Sequence, residues 1–247
     1  MAIAFNAATN PGLNTNNFSH TCSSGSNRLL IVGLFMDSSD GGPSVTYNSV
    51  AMTKVATSAN NVDRAISLFY LLAPATGANT VTVSWVSAPG NYHLVAADYT
   101  GVQQSAQPDG FATTTPDGTT SMTATVTVTA SNCWMVAVGR DNSGGTVTYT
   151  APGSMGARLT TGSGLSFADS AGTISTGSIA TTATLGGANL YKMIAASFAP
   201  ATGGTDADIS AFRHFRESGQ RANLRRRAST DHWKKNGLLY VPKEYAA

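Results

Sequence analysis

Along the first 200 residues, apolar positions fall into short runs with two rhythms. Thr80-Val81-Thr82-Val83-Ser84-Trp85 and the stretch 123–129 alternate polar with apolar, the period of a strand with one wet and one buried face. Residues 29–35 and 93–97 are more continuously apolar, which predicts central strands. Runs rich in Val, Thr, Ile, Phe and Tyr recur between clusters of Gly, Asn, Asp, Ser and Pro, the pattern of many short antiparallel strands. Val45 to Met52 reads as a hairpin turning at Asn48-Ser49, because Asn tolerates the positive φ that such turns need.

The strands echo one another at a spacing of about 100 residues. Ser26-Asn27-Arg28-Leu29-Leu30-Ile31-Val32-Gly33 is followed by Val45-Thr46-Tyr47, Met52, Leu68-Phe69 and Tyr92 to Tyr99. Ser131-Asn132-Cys133-Trp134-Met135-Val136-Ala137-Val138-Gly139 is followed by Val147-Thr148-Tyr149, Met155, Leu165-Ser166-Phe167 and Tyr191 to Phe198. The same residue types come in the same order, and the drifting offset fits turns that gained or lost residues. The expected fold is all-β, an antiparallel β-sandwich of jelly-roll or immunoglobulin-like type, built as two pseudo-repeats. Periodicity leaves open whether the halves form one large sandwich or two packed ones; the second is preferred. Residues 103–120 carry Pro108-Asp109-Gly110 and Pro116-Asp117-Gly118 and read as a long connecting loop.

Charge divides the chain further. Only 11% of residues are charged, and residues 1–200 hold six Lys or Arg, eight Asp and no Glu, whereas 201–247 hold nine Lys or Arg and five acids. Ala199-Pro200-Ala201-Thr202-Gly203-Gly204-Thr205 reads as a linker. The expected units are therefore a first β unit (1–107), a second β unit (108–200) and a basic, aromatic-containing tail (201–247). In the tail, Asp206 or Asp208 can cap a short helix over 207–217, with Ile209, Phe212 and Phe215 on one side. No apolar run reaches the ~18–20 residues that span a bilayer, and the first residues lack a secretory pattern. Cys22 and Cys133 are too few for a disulfide scaffold and not spaced as metal ligands, so buried free thiols are expected.

Candidate chemistry is sparse. Nearly all the body's Asp residues fall in predicted turns, and His20, His93, His214 and His232 show no ligand spacing. No nucleophile elbow, phosphate loop or dinucleotide fingerprint occurs, and a glycosidase carboxylate pair is disfavoured because no Glu precedes Glu217. Asp37, Asp40 and Asp141 are conceivable Ca²⁺ ligands, but solvated turn acids explain them better. Trp85, Tyr92, Tyr99, Trp134 and Tyr149 could form a sugar platform, yet each sits in a strand pattern where core packing is the usual role. No catalytic residue, metal or cofactor is expected.

The tail is the segment whose composition calls for a partner. Arg213, Arg216, Arg221, Arg225, Arg226 and Arg227, then Lys234 and Lys235, could neutralise phosphates. Phe212, Phe215, Leu224, Trp233, Leu238, Leu239, Tyr240 and Tyr245 are interleaved with them. That mixture favours docking on an acidic protein surface over nucleic acid, because Arg and aromatics dominate interface hot spots. Phe212, Arg213, Phe215, Arg216, Arg225, Arg226, Arg227, Trp233, Leu239 and Tyr240 are the candidate contact residues.

Arg28 to Gly33, Val45 to Thr53, Leu68 to Val83 and Tyr99-Thr100-Gly101-Val102 together resemble β-rich structural proteins of tailed bacteriophages and environmental viral genomes. The resemblance covers roughly residues 20–200 and carries no catalytic signature. It implies a non-enzymatic virion role without stating which part of the particle. The expectation is a capsid decoration or cement protein held by its tail on capsid or other virion proteins, as a homo-oligomer or symmetric array. The alternatives are a tail fibre, baseplate or receptor-binding subunit, and a carbohydrate-binding lectin-like module.

Overall fold

The computed structural model describes residues 1–202 apart from 39–40, 60–63, 115–118, 142–146, 153–154, 162–163 and 190. The expected tail helix and the tail's candidate contact residues lie outside the described residues. The body, Met1–Ala201, forms one compact unit. All the regular structure described is strand, paired antiparallel, in four sheets.

Two five-stranded sheets lie at the centre. The first inner sheet has the order β1 (Ala4–Thr9), β9 (Tyr92–Thr100), β3 (Leu29–Met36), β7 (Ala65–Leu72), β6 (Thr53–Ala59). The second has the order β10 (Gly110–Thr114), β17 (Tyr191–Phe198), β12 (Trp134–Asp141), β15 (Leu165–Asp169), β14 (Gly156–Thr160). Outside the first lies a sheet of β2 (Asn17–Cys22), β8 (Gly77–Ser84), β4 (Ser44–Tyr47) and β5 (Val50–Ala51). Outside the second lie β11 (Thr119–Val128), β16 (Gly177–Asn189) and β13 (Thr148–Ala151). The hairpin at Asn48-Ser49 forms between β4 and β5, with φ of 49° and 63° at its two turn residues. One expectation is corrected: residues 103–120 are not a single long loop, because Gly110–Thr114 pairs with β17 as an edge strand. The Pro-Asp-Gly sequence before it hid the strand.

Three apolar cores fill the gaps between the four layers. Side-chain alternation sends Leu30, Val32, Leu34 and Met36 of β3 toward Phe18, Val45, Tyr47, Val81 and Val83 of the first outer sheet. Leu29, Ile31 and Phe35 go the other way, into a central core with Val136, Val138, Phe167, Ile194 and Phe198. Met135, Ala137, Met193 and Ala195 face Met122, Ala124, Val126 and Ala183 across the third core. This explains the two rhythms. All eight residues of β3 are buried because its sheet is covered on both faces, while β2 on the outside alternates exposed with buried. Each Leu, Ile, Val or Phe fully buried this way stabilises the fold by ~1.5–3 kcal/mol.

The inner sheets stack in opposite strand order, so that β1 lies against β14 and β6 against β10. Their central strands β3 and β12 run the same way, with Phe35 beside Arg140 at one end and Tyr99, the partner of Leu29, beside Trp134 at the other. Met1 donates its nitrogen to Ala201 O at 2.7 Å, and Ala201 N donates to Gly101 O at 2.7 Å, so the described chain finishes at the Leu29 and Trp134 end. The connections 10–16 and 85–91, with residues 37–38 and 41–43, gather at the opposite end. The nine residues of β9 separate the two ends by roughly 25–30 Å.

Gly33 sets the spacing of the central interface. A Cβ there would meet Val138 Cγ2 at 2.8 Å and Val95 Cγ2 at 3.0 Å. Gly33→Val should overpack this contact and lower stability by about 2–3 kcal/mol, measured as a reduced urea midpoint with an unchanged slope.

Candidate functional site

The body's remaining candidates are its polar groups, and the structure draws most of them inward. In β9, alternation places Asp98 on the same face as Leu94 and Ala96, looking across at His20 and Cys22 of β2. His20 Nε2 lies 3.5 Å from Asp98 Oδ1, and His20 Nδ1 shares a hydrogen bond of 2.9 Å with the Thr9 hydroxyl. Asp98 also accepts from Ala7 N, Ser23 N and Asn6 Nδ2 at 3.1, 3.0 and 3.2 Å. Burial alone would raise its pKa, but His20 and these donors outweigh burial and hold the carboxyl below its usual range. A hydroxyl, an imidazole and a carboxylate are the ingredients of a hydrolytic triad. Here His20 and Asp98 are only 1% and 2% exposed, so the set offers no substrate contact and instead fastens β1, β2 and β9 together.

A second cluster crosses the central interface. Tyr99 donates its hydroxyl to Asp169 Oδ2 at 2.9 Å, Arg158 Nε donates to the same oxygen at 2.8 Å, and Ala171 N donates to Oδ1. The Arg158 guanidinium lies 4.5 Å from the centre of the Phe5 ring, so the network joins strands of both inner sheets. At the other end, Arg140 lies 3.7 Å over Phe35. Burial, followed by the charge of Arg64, pushes its pKa down to about 10. Burial and the Arg140 charge push the neighbouring His93 down to about 4, so the imidazole is neutral at pH 7.

The turn acids separate into different environments. Asp109 behaves as the sequence suggests, accepting from Thr129 N, Ala130 N and the Ser197 hydroxyl beside the turn before β10. Asp98, Asp141 and Asp169 are buried in or at the ends of strands, which the composition argument missed. The available signal was local: Ala96-Ala97-Asp98-Tyr99 and Ser166-Phe167-Ala168-Asp169 set acids in apolar runs rather than among Gly and Asn. Of the conceivable Ca²⁺ ligands, Asp37 pairs with Arg64 at 2.9 Å, Asp141 is buried and Asp40 lies outside the described residues. Among the described residues no group of three or more His, Cys, Asp or Glu is placed to hold a metal ion.

The aromatics also divide. Tyr99 and Tyr149 are buried, and Trp134 packs edge-on against Tyr99. Trp85 and Tyr92 are the half-buried pair, with ring centres 5.0 Å apart at the loop end. A cleft of about 340 Å³ lies beside the start of β16, lined by Pro152, Ser170, Thr173, Ile174 and Ile179. Among the described residues no charged side chain lines it, and its Ser170 hydroxyl is bonded to Gly172 O and Met135 N. Comparison with known family models, curated proteins and solved structures found none that matches this chain.

Two measurements follow from these environments. Cys22 and Cys133 are free and buried, and burial pushes their thiols up to about 11 and 12. The native protein should therefore show no fast-reacting thiol toward a chromogenic disulfide at pH 7.5, and two after denaturation. Acid should act in two stages. Unfolded His93 takes up a proton below pH ~6.5 while the folded imidazole resists until about 4. Stability therefore falls as pH drops through that window, by on the order of 2 kcal/mol. Below it, protonation of Asp98 and Asp109, both held below the usual carboxyl range, removes more. His93→Gln should flatten the pH 6.5–4 part of a stability curve and leave the lower part unchanged.

Proposed function

We propose that the chain is a non-enzymatic virion structural protein of a tailed bacteriophage, a capsid decoration or cement protein that attaches through its C-terminal tail. The observation carrying this reading is where the body's polar chemistry lies. Asp98 with His20 and Asp169 with Arg158 and Tyr99 are buried in contacts that fasten strands and sheets together, a use of charge that suits a rigid spacer. The same reading places the protein in the virion and makes copies of it a homo-oligomer or symmetric array against capsid or other virion proteins.

In this reading each half of the body is a jelly-roll or immunoglobulin-like sandwich and the halves are pseudo-equivalent. Two facts support it. In the first half, strands β1, β3, β6, β7 and β9 belong to the inner sheet and β2, β4, β5 and β8 to the outer; β10, β12, β14, β15 and β17 against β11, β13 and β16 repeat that alternation. Corresponding strands also hold corresponding places, β1-β9-β3-β7-β6 against β10-β17-β12-β15-β14. Strands that pass to and fro between two sheets in this way suit a jelly-roll or an immunoglobulin-like sandwich.

Ala201, the last residue of the body, lies at the end away from the connections 10–16 and 85–91. A base fixed there would present those connections outward. Ending the chain after Gly203 should leave a body that melts as the full chain does but no longer joins the particle. Full incorporation of that shortened chain, scored by gel densitometry of purified particles, would remove the anchoring idea.

A further inference from the structure

We propose that the loop end of the first sandwich is a binding site for an uncharged saccharide, formed by Trp85 and Tyr92 with Leu13, Asn14, Val86 and Asn91. The proposal goes beyond the attachment reading and stands on the body alone. It begins from the five aromatics that the sequence offered as a sugar platform. Folding sends Tyr99 and Tyr149 into the cores; Trp134, itself half-buried, packs edge-on against Tyr99, while Trp85 and Tyr92 are half-buried side by side at the mouth of the first outer core.

The surroundings of this pair are held by hydrogen bonds. Asn14, at a φ of 54°, donates its backbone N–H to Tyr92 O at 3.0 Å and accepts from Tyr92 N on Oδ1 at 2.9 Å. Its carbonyl oxygen accepts the Tyr92 hydroxyl at 2.8 Å, and its Nδ2 donates to Asn91 Oδ1 at 3.2 Å. Asp37 N donates to Asn91 O at 2.8 Å, and Val86 N and Ser87 N both donate to Gly41 O at 3.1 Å. Asn14, Asp37, Gly41, Asn91 and the start of the 85–91 connection are thus tied to one another beside the two rings before any ligand arrives, which lowers the ordering cost of binding.

Two further features choose the ligand class. Leu13, next to Asn14 in the chain, is 54% exposed and Val86, next to Trp85, is 91% exposed, so apolar surface adjoins the half-buried pair. A sugar ring presents an apolar C–H face to such a surface and hydroxyls at its edge, where the exposed Asn91 amide can both donate and accept. None of the six residues carries a charge, and the adjoining Asp37 has its carboxylate paired with Arg64 at 2.9 Å, which fits a neutral sugar better than a sialylated or uronic one. Six side chains offer far less than the ~800 Å² per partner of a stable protein interface, so a protein occupant is disfavoured.

The test uses the purified full chain on an array of glucose, galactose, mannose and N-acetylglucosamine oligomers beside sialylated and uronic glycans. Titration calorimetry with the best-bound oligomer then follows. The expected result is binding confined to neutral oligomers, weakened about tenfold or more by Trp85→Ala and by Asn91→Ala, a tenfold loss being ~1.4 kcal/mol. Val50→Thr, at an exposed apolar residue of the β4–β5 hairpin, should bind as the parent does. Because Trp85 also rests on a core, thermal melting of each variant accompanies the titration, and exposed Asn91 supplies the readout if Trp85→Ala fails to fold. The proposal is overturned if no neutral oligomer binds at millimolar concentration, if only charged glycans bind, or if Asn91→Ala in a folded protein leaves affinity unchanged. None of these outcomes bears on incorporation of the shortened chain into particles, so the two readings fail separately.

Discussion

The contact between the two inner sheets is the constraint on which the rest of the body depends. A β-sheet with one wet face can form with half its side chains polar, but a sheet pressed between two others must be apolar on both faces. That condition makes β3, β9, β12 and β17 nearly continuous apolar runs and fixes their register, because a slip of one residue would exchange the sides of two cores at once. It also favours a glycine at Gly33, where a Cβ would crowd Val138 and Val95. The outer sheets are freer, and their strands keep the simple alternation of one covered face.

Charge is scarce in such a body for the same reason. An ionised group inside a stack of sheets is costly unless its partners arrive with it. Asp169 lies at the end of β15 where Tyr99 from the first half and Arg158 from the second meet it, and Asp98 lies where β1 and β2 converge on β9. Asp169 sits at the end of β15 and Asp98 beside the bulge of β1, where donors can reach them without interrupting a core. Arg140 and His93 occupy the opposite end of the central core, one with its guanidinium over Phe35 and the other neutral. Polar groups therefore close the central core at its two ends, and apolar packing fills it between.

The same arrangement gives the body a direction. Met1, Gly101 and Ala201 are tied together at one end, and the connections around Trp85 and Tyr92 gather at the other. Attachment through a tail and recognition by loops make compatible demands on such a shape, since the first needs the end where the described chain finishes and the second needs the end farthest from it. A stiff stack of sheets is suited to keep the two apart.

The primary sequence by itself determined the all-β class, the central strands at Leu29–Met36 and Tyr92–Thr100, and the Asn48-Ser49 hairpin, because these follow from side-chain period and turn chemistry that act over a few residues. It also singled out Trp85 and Tyr92, without separating them from Tyr99, Trp134 and Tyr149. Only the tertiary structure decided which aromatics stay accessible, that Asp98 and Asp169 are buried bridges rather than turn acids, and that Gly110–Thr114 is an edge strand. The buried bridges and the edge strand depend on partners 70 or more residues away, such as Tyr99 for Asp169, Ser23 for Asp98 and Ser197 for Gly110. Local pattern carries no record of which distant strand will arrive to donate a hydrogen bond or to cover a ring.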